Sequence, residues 1–370
     1  MSLTILHLAA NRWWTGSADP VIQLASGLRA RNHRVLLGVI PGDRFEAKAR
    51  EAGFDIVPGL NLRARLQPLA FVRDVRRLSA VVAREAVDVI HCHHSHDHWL
   101  GMLIRDARDD QLVPVVRTFH AFRAVKNGRL ARWLHRRTSA VFAVSGQIEA
   151  RCRDVGFPAE RVFRVPGVAD LPRFTGDADA RPIREELKLG TSPVIVSVAR
   201  LARNRGHETL LVAFRMLLEK FRDARLLLVG KGETRPRLEA LVADMGLSDH
   251  VVFTGYRDRD LPSVLAAADC FVLMAAGSDE SCRAALEAMA AARPVVARAV
   301  GALPDTVVHG ETGLLVEDDR PESVMVALAA ILADPARGRA MGLAGRRRVE
   351  RDFVPERAVA VVEEVYRSLR

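Results

Sequence analysis

The chain contains 370 residues, 49% hydrophobic and 27% charged, and its apolar runs fall short of the roughly 18 residues that a membrane-spanning helix needs. This composition excludes a disordered chain and a coiled coil, and the length predicts two domains that each bury an apolar core. Residues 1–175 carry 27 Lys and Arg against 16 Asp and Glu, whereas residues 176–370 carry 28 against 29. The positive first half predicts an anionic partner: nucleic acid, a phospholipid surface or a phosphorylated acceptor.

Short apolar runs alternate with amphipathic stretches in the first half, which is typical of parallel strands joined by helices. The N-terminal MSLTILHLAANRWW has neither a basic region nor a small-residue cleavage site, so it predicts a first strand rather than a signal peptide. The predicted strands are Leu3–Ala9, Arg34–Val39, Val87–Cys92, Val113–Thr118, Ala140–Val144 and Val162–Val165, and the predicted helices include Pro20–Arg31 and Gln67–Glu85.

The second half repeats this alternation after a polar stretch, Gly167–Thr191. We predict a first domain over residues 1–170, a linker over 171–191 and a second domain over 192–354, with a C-terminal helix of residues 355–370 packing back on the first domain. The predicted strands are Val194–Ala199, Arg225–Val229, Val251–Thr254, Cys270–Met274, Pro294–Ala297 and Gly313–Val316. The predicted helices are His207–Phe221, Thr234–Met245, Arg283–Ala292, Pro321–Ala333, Pro335–Phe353 and Pro355–Leu369.

The strongest local motif is GSDESCRAALEAMAAARPVV, residues 277–296, in which an apolar strand leads through a small polar turn into an alanine-rich helix. Ser278 or Ser281 is predicted to cap this helix, whose first amides attract phosphate. Glu287 lies two turns into the helix, where a buried carboxylate suits the two hydroxyls of a ribose. The alternative is an acidic first turn followed by a solvated Glu287.

Cations follow another predicted strand in VIVSVARLARNRG, residues 194–206. Arg200, Arg203 and Arg205 come after the carboxyl end of that strand, where they meet an anionic ligand in folds of this class. Together with the amides of the helix motif they predict a pyrophosphate site, and the alternative is a surface loop of an Arg-rich protein. A glycine also follows the first strand in NRWWTGS, but GxGxxG is absent from the sequence, which argues against a nicotinamide or flavin cofactor.

Five histidines occur at a strand end in HCHHSHDH, residues 91–98. Alternating strand residues point to opposite faces, so few of these rings can converge, and we expect hydrogen bonding and lining of a cleft rather than a metal site. His120, in RTFHAF, is expected to face the same cleft, with a structural histidine as the alternative. Cys92, Cys152, Cys270 and Cys282 lack metal-type pairing and predict reduced thiols in a cytosolic protein.

These motifs, in this order and spacing, resemble the retaining GT-B-fold glycosyltransferases of family 4, or glycosyl transferases group 1. The resemblance covers nearly the whole chain and includes LASGLRARNHRV, DVIHCHHS, AVFAVSGQIEARC, LLLVGKGETRPRLE and VVFTGYRDRDLPSVLAAADCFVL. It implies an α/β protein with two Rossmann-like domains that face each other across a cleft. The first would bind the acceptor and the second the nucleotide sugar.

The resemblance also implies roles for individual residues. Arg200 and Arg205 match the cations expected on the donor diphosphate, and His120 matches a histidine near the donor sugar. Glu287 matches the second acid of the E-x7-E motif, expected on the ribose; counting back, the first acid is Asp279, with Glu280 beside it, and which of the two contacts the donor sugar stays open. The other donor-binding residues implied are Gly16, Ser17, Lys231, Tyr256, Ser281, Cys282 and Arg283.

The implied activity moves a sugar, with retention, from a nucleotide diphosphate sugar to a cell-envelope glycan or glycolipid. No cofactor or metal is expected, because the two arginines take over the charge role of a metal. One alternative is a sugar epimerase or phosphorylase on the same architecture. The other is a non-enzymatic nucleic-acid-binding protein, which the absence of a nucleic-acid motif and an aromatic content of 5% disfavour.

The basic first half has one helical stretch, residues 62–85, in which cations and apolar residues interleave. We expect a cytoplasmic protein that adheres to the inner face of the membrane through this half, because anionic lipids attract basic segments. A core-packed helix with a solvated cationic face is the alternative. The cations of the stretch are Arg63, Arg65, Arg73, Arg76, Arg77 and Arg84.

Overall fold

The computed structural model describes residues 2–11, 18–63, 67–277 and 280–370. The chain divides into two compact units. The first unit comprises Met1–Gly167, Ser278–Ser281 and Pro355–Arg370, and the second comprises Val168–Gly277 and Cys282–Val354. No helix in the described part of the chain is long and apolar enough to span a membrane.

The first unit is built on a parallel sheet. Its strands are β1 (Thr4–Ala9), β2 (Arg34–Val39), β3 (Asp55–Ile56), β4 (Val89–Cys92), β5 (Val115–Phe119), β6 (Ala140–Ala143) and β7 (Val162–Arg164). They are ordered β3-β2-β1-β4-β5-β6-β7. The central strands are buried along their whole length, which is why they read as continuous apolar runs rather than alternating ones.

The second unit contains another parallel sheet. Its strands are β8 (Val194–Val198), β9 (Arg225–Val229), β10 (Val251–Gly255), β11 (Cys270–Leu273), β12 (Val295–Arg298) and β13 (Gly313–Val316). They are ordered β10-β9-β8-β11-β12-β13. Each face of this sheet is covered by a separate apolar cluster, one including Phe271 and Met289 and the other Phe214 and Val272.

Helices connect the strands of both units, and many of them begin with proline at the first turn, where its missing N–H costs nothing. In chain order they are α1 (Asp19–Ala30), α2 (Arg44–Glu51), α3 (Pro68–Arg84), α4 (Ser95–Ile104), α5 (Arg129–Arg137), α6 (Gly146–Asp154), α7 (Arg181–Glu186), α8 (His207–Leu217), α9 (Arg235–Asp244), α10 (Leu261–Ala266), α11 (Arg283–Ala290), α12 (Leu303–Thr306), α13 (Pro321–Ala333), α14 (Pro335–Asp352) and α15 (Pro355–Ser368).

Every strand predicted from the sequence occurs, with its ends within two residues of the prediction, but two other predictions need correction. The helix predicted over His207–Phe221 ends at Leu217, after which the chain turns. The stretch 171–191, predicted as a linker, contains α7 and buries Phe174, Ile183 and Leu189 in the core of the second unit. Because most of this stretch is polar, the sequence analysis did not recognise the three apolar residues that pack it into the core.

The C-terminal helix α15 packs on α1 within the first unit. Its Glu363 is 8% exposed and accepts hydrogen bonds from Arg31 at 2.6 Å and Arg367 at 2.5 Å, with the His33 ring nitrogen 3.0 Å away. These three contacts, led by the Arg31 bond, lower the pKa of Glu363 to about 2. Tyr366 on the same helix is fully buried and packs into the apolar core of the first unit.

Candidate active site

Each sheet contains a reversal of strand order, the position at which open α/β sheets bind ligands. The reversal lies between β1 and β4 in the first unit and between β8 and β11 in the second. Because all strands of a sheet run parallel, the loops after their carboxyl ends gather at one edge. The described candidate residues follow β5 in the first unit and β8, β9, β10 and β11 in the second.

Arg200 follows β8 in a loop that is hydrogen-bonded to the loop after β9. The Leu201 amide donates to the Lys231 carbonyl at 3.0 Å. Gly232 permits this approach, because a Cβ there would overlap the Leu201 carbonyl. Arg200 and Lys231 therefore lie on adjacent loops, both exposed, as a shared phosphate site requires. The Arg200 guanidinium pairs with Glu233 at 3.0 Å, a partner that the sequence analysis did not include.

Arg205 lies in the tight turn that begins α8. Asn204 (φ 60°) and Gly206 (φ 72°) on either side of it are left-handed. A Cβ at Gly206 would overlap the side chain of Met274, which follows β11, so glycine is needed for space as well as for conformation. Arg205 borders a pocket of about 450 Å³ in the second unit. Its charged lining also includes Arg203, Arg237, Arg298, Glu208 and Asp319.

Tyr256 comes directly after β10 and its side chain is 56% exposed. It lies at the same edge of the sheet as the loops after β8 and β9. An exposed aromatic ring at this place offers a stacking surface to a base.

Helix α11 carries the acidic motif, and its start differs from the prediction. Cys282, not a serine, is the N-cap residue, and its side chain makes no capping hydrogen bond. Its φ of 54° is rare for a residue with a Cβ and marks strain at the helix entrance. Glu287 is 6% exposed, which contradicts the alternative of a solvated side chain. Its partner is Arg283, whose Nε lies 3.0 Å from the Glu287 carboxylate.

Glu280 groups with the first unit through its contacts. Its amide donates to the His120 carbonyl at 2.8 Å, and its carboxylate accepts a hydrogen bond from the Phe122 amide at 2.9 Å. Burial raises the pKa of Glu280 above its ordinary value. Ser281, next in the chain, is 2% exposed. Gly16, Ser17 and Asp279 lie outside the described residues.

His120 is 7% exposed and belongs to a cluster of buried histidine rings in the first unit. Of the histidines in HCHHSHDH, His91 and His93 converge, because residues two apart on β4 and just after it share a face. His7 joins them from β1, where it pairs in register with His91. Burial lowers the pKa of His7 and of His120 to about 3. These rings are therefore neutral at physiological pH.

Ring nitrogens of His7, His91 and His93 lie within 4.8 Å of one another, the spacing of a group that could hold a metal ion. Both nitrogens of His91 are already in contact, with Tyr366 Oη at 2.5 Å and Thr118 Oγ1 at 2.7 Å. A metal on His91 would have to break one of these hydrogen bonds in a fully buried setting. The geometry favours a hydrogen-bonded cluster, and our expectation of no metal stays a prediction.

Two buried ionisable residues next to this cluster, Arg117 and Asp97, were missed by the sequence analysis. Arg117 on β5 is 1% exposed and donates to the His94 carbonyl, and Asp97 on α4 is fully buried. Burial lowers the pKa of Arg117 to about 10 and raises that of Asp97 to about 7. Asp97 accepts hydrogen bonds from the backbone of Ala10 at 3.1 Å and of His94 at 3.0 Å, which ties the ends of β1 and β4 together. The sequence feature that could have revealed these residues is the arginine within the apolar strand β5.

Two family profiles match the chain, "Glycosyltransferase Family 4" over residues 15–173 and "Glycosyl transferases group 1" over residues 179–348. A relative from Mycobacterium tuberculosis, "GDP-mannose-dependent alpha-(1-6)-phosphatidylinositol monomannoside mannosyltransferase", is 32% identical over 330 residues, which are 82% of this chain and 81% of the relative. The chain belongs to glycosyltransferase family 4. It is therefore an enzyme that transfers a sugar, and the resemblance noted in its sequence is confirmed.

A second relative and a solved structure extend this comparison of the glycosyltransferase. The Mycolicibacterium smegmatis protein of the same name is 35% identical over 260 residues, 68% of this chain and 63% of that relative. The crystal structure of Anabaena Alr3699/HepE in complex with UDP and glucose matches with a TM-score of 0.83 at 20% identity, covering 99% of this chain and 100% of that one. The predicted fold class, GT-B with two Rossmann-like domains, is confirmed by this likeness.

We predict that acid destabilises the glycosyltransferase through its buried histidines. The pKa of His120 is about 3 in the folded chain against 6.5 ordinarily, so its contribution to stability is complete above pH 6.5 and is lost as the pH falls toward 3. Urea unfolding at pH 7, 6 and 5 should show a falling free energy of unfolding. In His120→Asn the slope should be smaller, by up to about 1.4 kcal/mol per pH unit. Equal slopes in both proteins would contradict a buried neutral His120.

Proposed function

We propose that this enzyme transfers a sugar, with retention, from a nucleotide diphosphate sugar to a lipid-linked or phosphorylated glycan of the cell envelope. The observation that carries the proposal is the group of cations and the buried carboxylate at the carboxyl edge of β8, β9 and β11. Arg200, Arg205 and Lys231 supply positive charge there, and Glu287 supplies an acceptor. The relatives named for GDP-mannose and phosphatidylinositol monomannoside support this class of donor and acceptor.

In the proposed complex the donor diphosphate lies against the loops after β8 and β9. Arg200 exchanges Glu233 for a phosphate oxygen, because an ion pair between two exposed side chains contributes little in water. Arg205, which borders the charged pocket of the second unit, binds a second phosphate oxygen. Glu287, oriented by Arg283, accepts hydrogen bonds from the ribose hydroxyls. Tyr256 stacks on the base.

Bond breaking in this scheme depends on stabilising the leaving group. The bond from the anomeric carbon to the diphosphate oxygen breaks, and negative charge grows on the diphosphate. The acceptor oxygen forms the new bond on the face from which the diphosphate leaves, and its hydroxyl proton passes to the departing phosphate oxygen. Fixed cations stabilise the charge as it develops, and the protein otherwise contributes orientation. The proposal requires no metal, since Arg200 and Arg205 carry the charge that a metal would supply.

We predict that Arg200→Ala and Arg205→Ala each reduce kcat by on the order of a hundredfold or more, because removing one such contact costs ~2.7–4 kcal/mol of transition-state stabilisation. Turnover is measured with GDP-mannose and UDP-glucose in the presence of EDTA, and the anomeric configuration of the product is read by NMR. Arg222→Ala is the matched control, because Arg222 is exposed and precedes the amino end of β9 at the opposite edge. Near-normal rates in both variants, or an inverted product, would contradict the scheme.

We also predict that Glu287→Gln weakens binding of the nucleoside diphosphate by about tenfold or more, since a hydrogen bond to a charged group is worth roughly 1.5–3 kcal/mol. Calorimetry with GDP and UDP measures this. The control is Glu239→Gln on α9, because Glu239 forms the same i,i+4 pair with Arg235 at 2.7 Å but is exposed. If Glu287→Gln binds GDP and UDP as tightly as the wild-type protein, the Glu287 carboxylate contacts Arg283 for structural reasons and does not bind the nucleotide.

The acceptor side of the proposal rests on the surface of the first unit. Helices α3, α4 and α5 pack as neighbours there, and each exposes apolar side chains: Leu69 (83%) and Val72 on α3, Leu103 on α4, and Leu130 (67%) and Trp133 on α5. Two of these helices also expose cations, namely Arg73, Arg76 and Arg77 on α3 and Arg129, Arg132, Arg136 and Arg137 on α5. Arg65, predicted as part of this face, lies outside the described residues.

Apolar side chains exposed beside cations fit an anionic lipid surface better than a soluble glycan. Lipid tails accept the apolar side chains, and anionic headgroups attract the cations. The α3 helix also packs Leu78 and Val82 into the core, so the core-packing alternative holds for its inner face. Trp133 stacks on Trp99 with ring centroids 5.9 Å apart and lies under the Arg137 guanidinium, which fixes it at the surface. We therefore propose peripheral binding to an anionic membrane through α3, α4 and α5.

We predict that the protein co-sediments with anionic but not with neutral vesicles, and that salt weakens the binding. The double variant Arg132→Glu/Arg136→Glu should lower the partition coefficient by about tenfold or more, because each basic residue near the surface contributes about 1 kcal/mol. Arg222→Glu in the second unit is the control. Equal binding to both vesicle types, or no loss in the double variant, would leave the cations to a soluble phosphorylated acceptor.

A further inference from the structure

The pocket of about 450 Å³ in the second unit extends beyond the residues assigned to the donor. Its walls are the loop before α8, the first turns of α8 and α9, and side chains at or just after the carboxyl ends of β11, β12 and β13. Among the described donor residues Arg205 alone lines it, whereas Arg200, Lys231 and Glu287 do not. We name it the arginine pocket after its cations, which are Arg203, Arg205, Arg237 and Arg298.

The lining of the arginine pocket has an excess of positive charge. Its four arginines are accompanied by two carboxylates, those of Glu208 and Asp319. His207, also in the lining, adds no charge at neutral pH, because burial lowers its pKa to about 4. Helices α8 and α9 both begin at this pocket without a side-chain cap, so their first amides add partial positive charge. A ligand with a charge near that of a dianion would balance the side chains.

The two carboxylates hold their arginines only weakly. Arg237 Nη2 lies 3.2 Å from Glu208 Oε1, but both side chains are more than half exposed, and an ion pair of that kind contributes little in water. Arg298 Nη2 lies 3.7 Å from the Asp319 carboxylate, which is beyond hydrogen-bond distance. An anion that enters the pocket can therefore reach both guanidinium groups without breaking a strong contact.

Two polar atoms of the lining residues, Arg298 Nε and Thr234 Oγ1, are buried and have no hydrogen-bond partner in the part of the chain that the structure describes. A buried polar atom without a partner costs free energy, and such atoms are rare in folded proteins. Thr234 is the N-cap residue of α9, a position where a hydroxyl normally accepts a hydrogen bond from the helix, yet it makes no capping bond. Because both residues line the pocket, a polar ligand bound there would supply the missing partners.

The chemistry of the lining matches a phosphate monoester of a sugar or polyol. Guanidinium groups bind phosphate oxygens in pairs, and a phosphate monoester carries a charge of about −1.5 to −2 at neutral pH. The volume exceeds what a phosphate ion needs and lies within the range of small-molecule pockets, about 300–1,000 Å³. Asn204, Thr209 and Thr234 offer hydrogen-bonding groups to hydroxyls. Leu238 and Met274 offer an apolar surface to the carbon skeleton.

We propose that the arginine pocket binds a phosphorylated sugar or polyol, and that its occupation weakens binding of the nucleotide sugar. The second statement rests on the proposed function, because it depends on Arg205 contacting the donor diphosphate. An anion in the pocket recruits Arg205 and places negative charge beside the diphosphate, so the two ligands oppose each other. Coupling between two sites is reciprocal, so the donor weakens binding of the sugar phosphate by the same factor.

The first test measures binding to the intact protein by calorimetry, with no donor present. The probes are glucose 6-phosphate, glucose 1-phosphate and glycerol 3-phosphate, and the comparison ligands are glucose and inorganic phosphate. We expect at least one probe to bind at a single site, about tenfold or more tightly than either comparison ligand, because each of those lacks part of the hydrogen bonding. Absence of binding by all three probes would overturn the proposal. Equal affinity for inorganic phosphate would overturn its sugar part.

Variants of α9 and its N-cap residue separate the pocket from general surface charge. Arg237→Gln should weaken the tightest probe by about tenfold or more, because a charge-assisted hydrogen bond to phosphate is lost. Thr234→Val, which removes only a hydroxyl, should weaken it by about fivefold. Arg235→Gln is the matched control, because Arg235 lies on the same helix and pairs with Glu239 at 2.7 Å but does not line the pocket. An equal loss in Arg235→Gln and Arg237→Gln would contradict a site in this pocket.

A further pair of variants separates the pocket from the donor site. Arg200→Gln should weaken binding of GDP and leave binding of the sugar phosphate unchanged, whereas Arg237→Gln should do the opposite. If Arg200→Gln weakens the sugar phosphate as much as Arg237→Gln does, the probe binds in the donor site and the pocket proposal is wrong. If the sugar phosphate binds and GDP does not, the proposed function fails and the pocket stands.

The last experiment measures the coupling between the two ligands. With the tightest probe at saturating concentration, the Kd of GDP should rise by about fivefold or more, which is the ordinary size of coupling between sites. In Arg237→Gln at the same probe concentration the rise should be smaller, because less of the pocket is occupied. A Kd of GDP that is unchanged or lowered in the wild-type protein with the pocket occupied would overturn the coupling.

Discussion

The parallel direction of all strands in each sheet is the constraint on which the functional residues depend. Parallel strands return their loops to one edge, and the reversal of strand order opens a gap between two of those loops. In the second unit this gathers the ends of β8, β9, β10 and β11, so that residues from Arg200 to Glu287 belong to one edge despite their distance in sequence. The glycines at 206 and 232 then bring the loops close enough to share a ligand, because any side chain there would collide with Met274 or Leu201.

The two units use this edge in opposite electrostatic ways. The second unit presents cations in solvent, where an exposed pair such as Arg200 and Glu233 is easily separated, and in the proposed complex the donor diphosphate replaces that carboxylate. The first unit instead removes its histidines from water, and burial keeps them neutral and hydrogen-bonded to each other. Among the residues that the structure describes, Arg117 is a deeply buried cation of this unit, and it joins β5 to the start of α4 by donating to the His94 carbonyl. Charge binding and hydrogen-bond alignment are thus separated between units.

Most of the fold could be predicted from the sequence because buried parallel strands are continuous apolar runs, and those are the easiest pattern to recognise. The two-residue β3 and the packed stretch around Phe174 could not be predicted, because neither contains enough apolar residues to form a recognisable pattern. Among the site residues, His91 and His93 could be placed on one face from their spacing, but the contribution of His7 required the register of β1 against β4. The left-handed Cys282 at the start of α11 had no sequence signal, because the conformation is normally taken by glycine.

The charge of the first half shows why a sum over residues cannot by itself identify a partner. Several of its arginines serve the fold: Arg117 is buried, Arg31 holds Glu363 on α15, and Arg108 pairs with Asp110 at 2.5 Å. What distinguishes α3 and α5 is not their charge alone but the apolar side chains exposed between the cations, which a solvated structural helix has no reason to keep out of the core. A phosphorylated soluble acceptor would account for the arginines and leave Leu69, Leu130 and Trp133 without a function. A lipid surface accounts for both, and this combination, rather than net charge, is the physical basis on which we propose that the basic half binds a membrane.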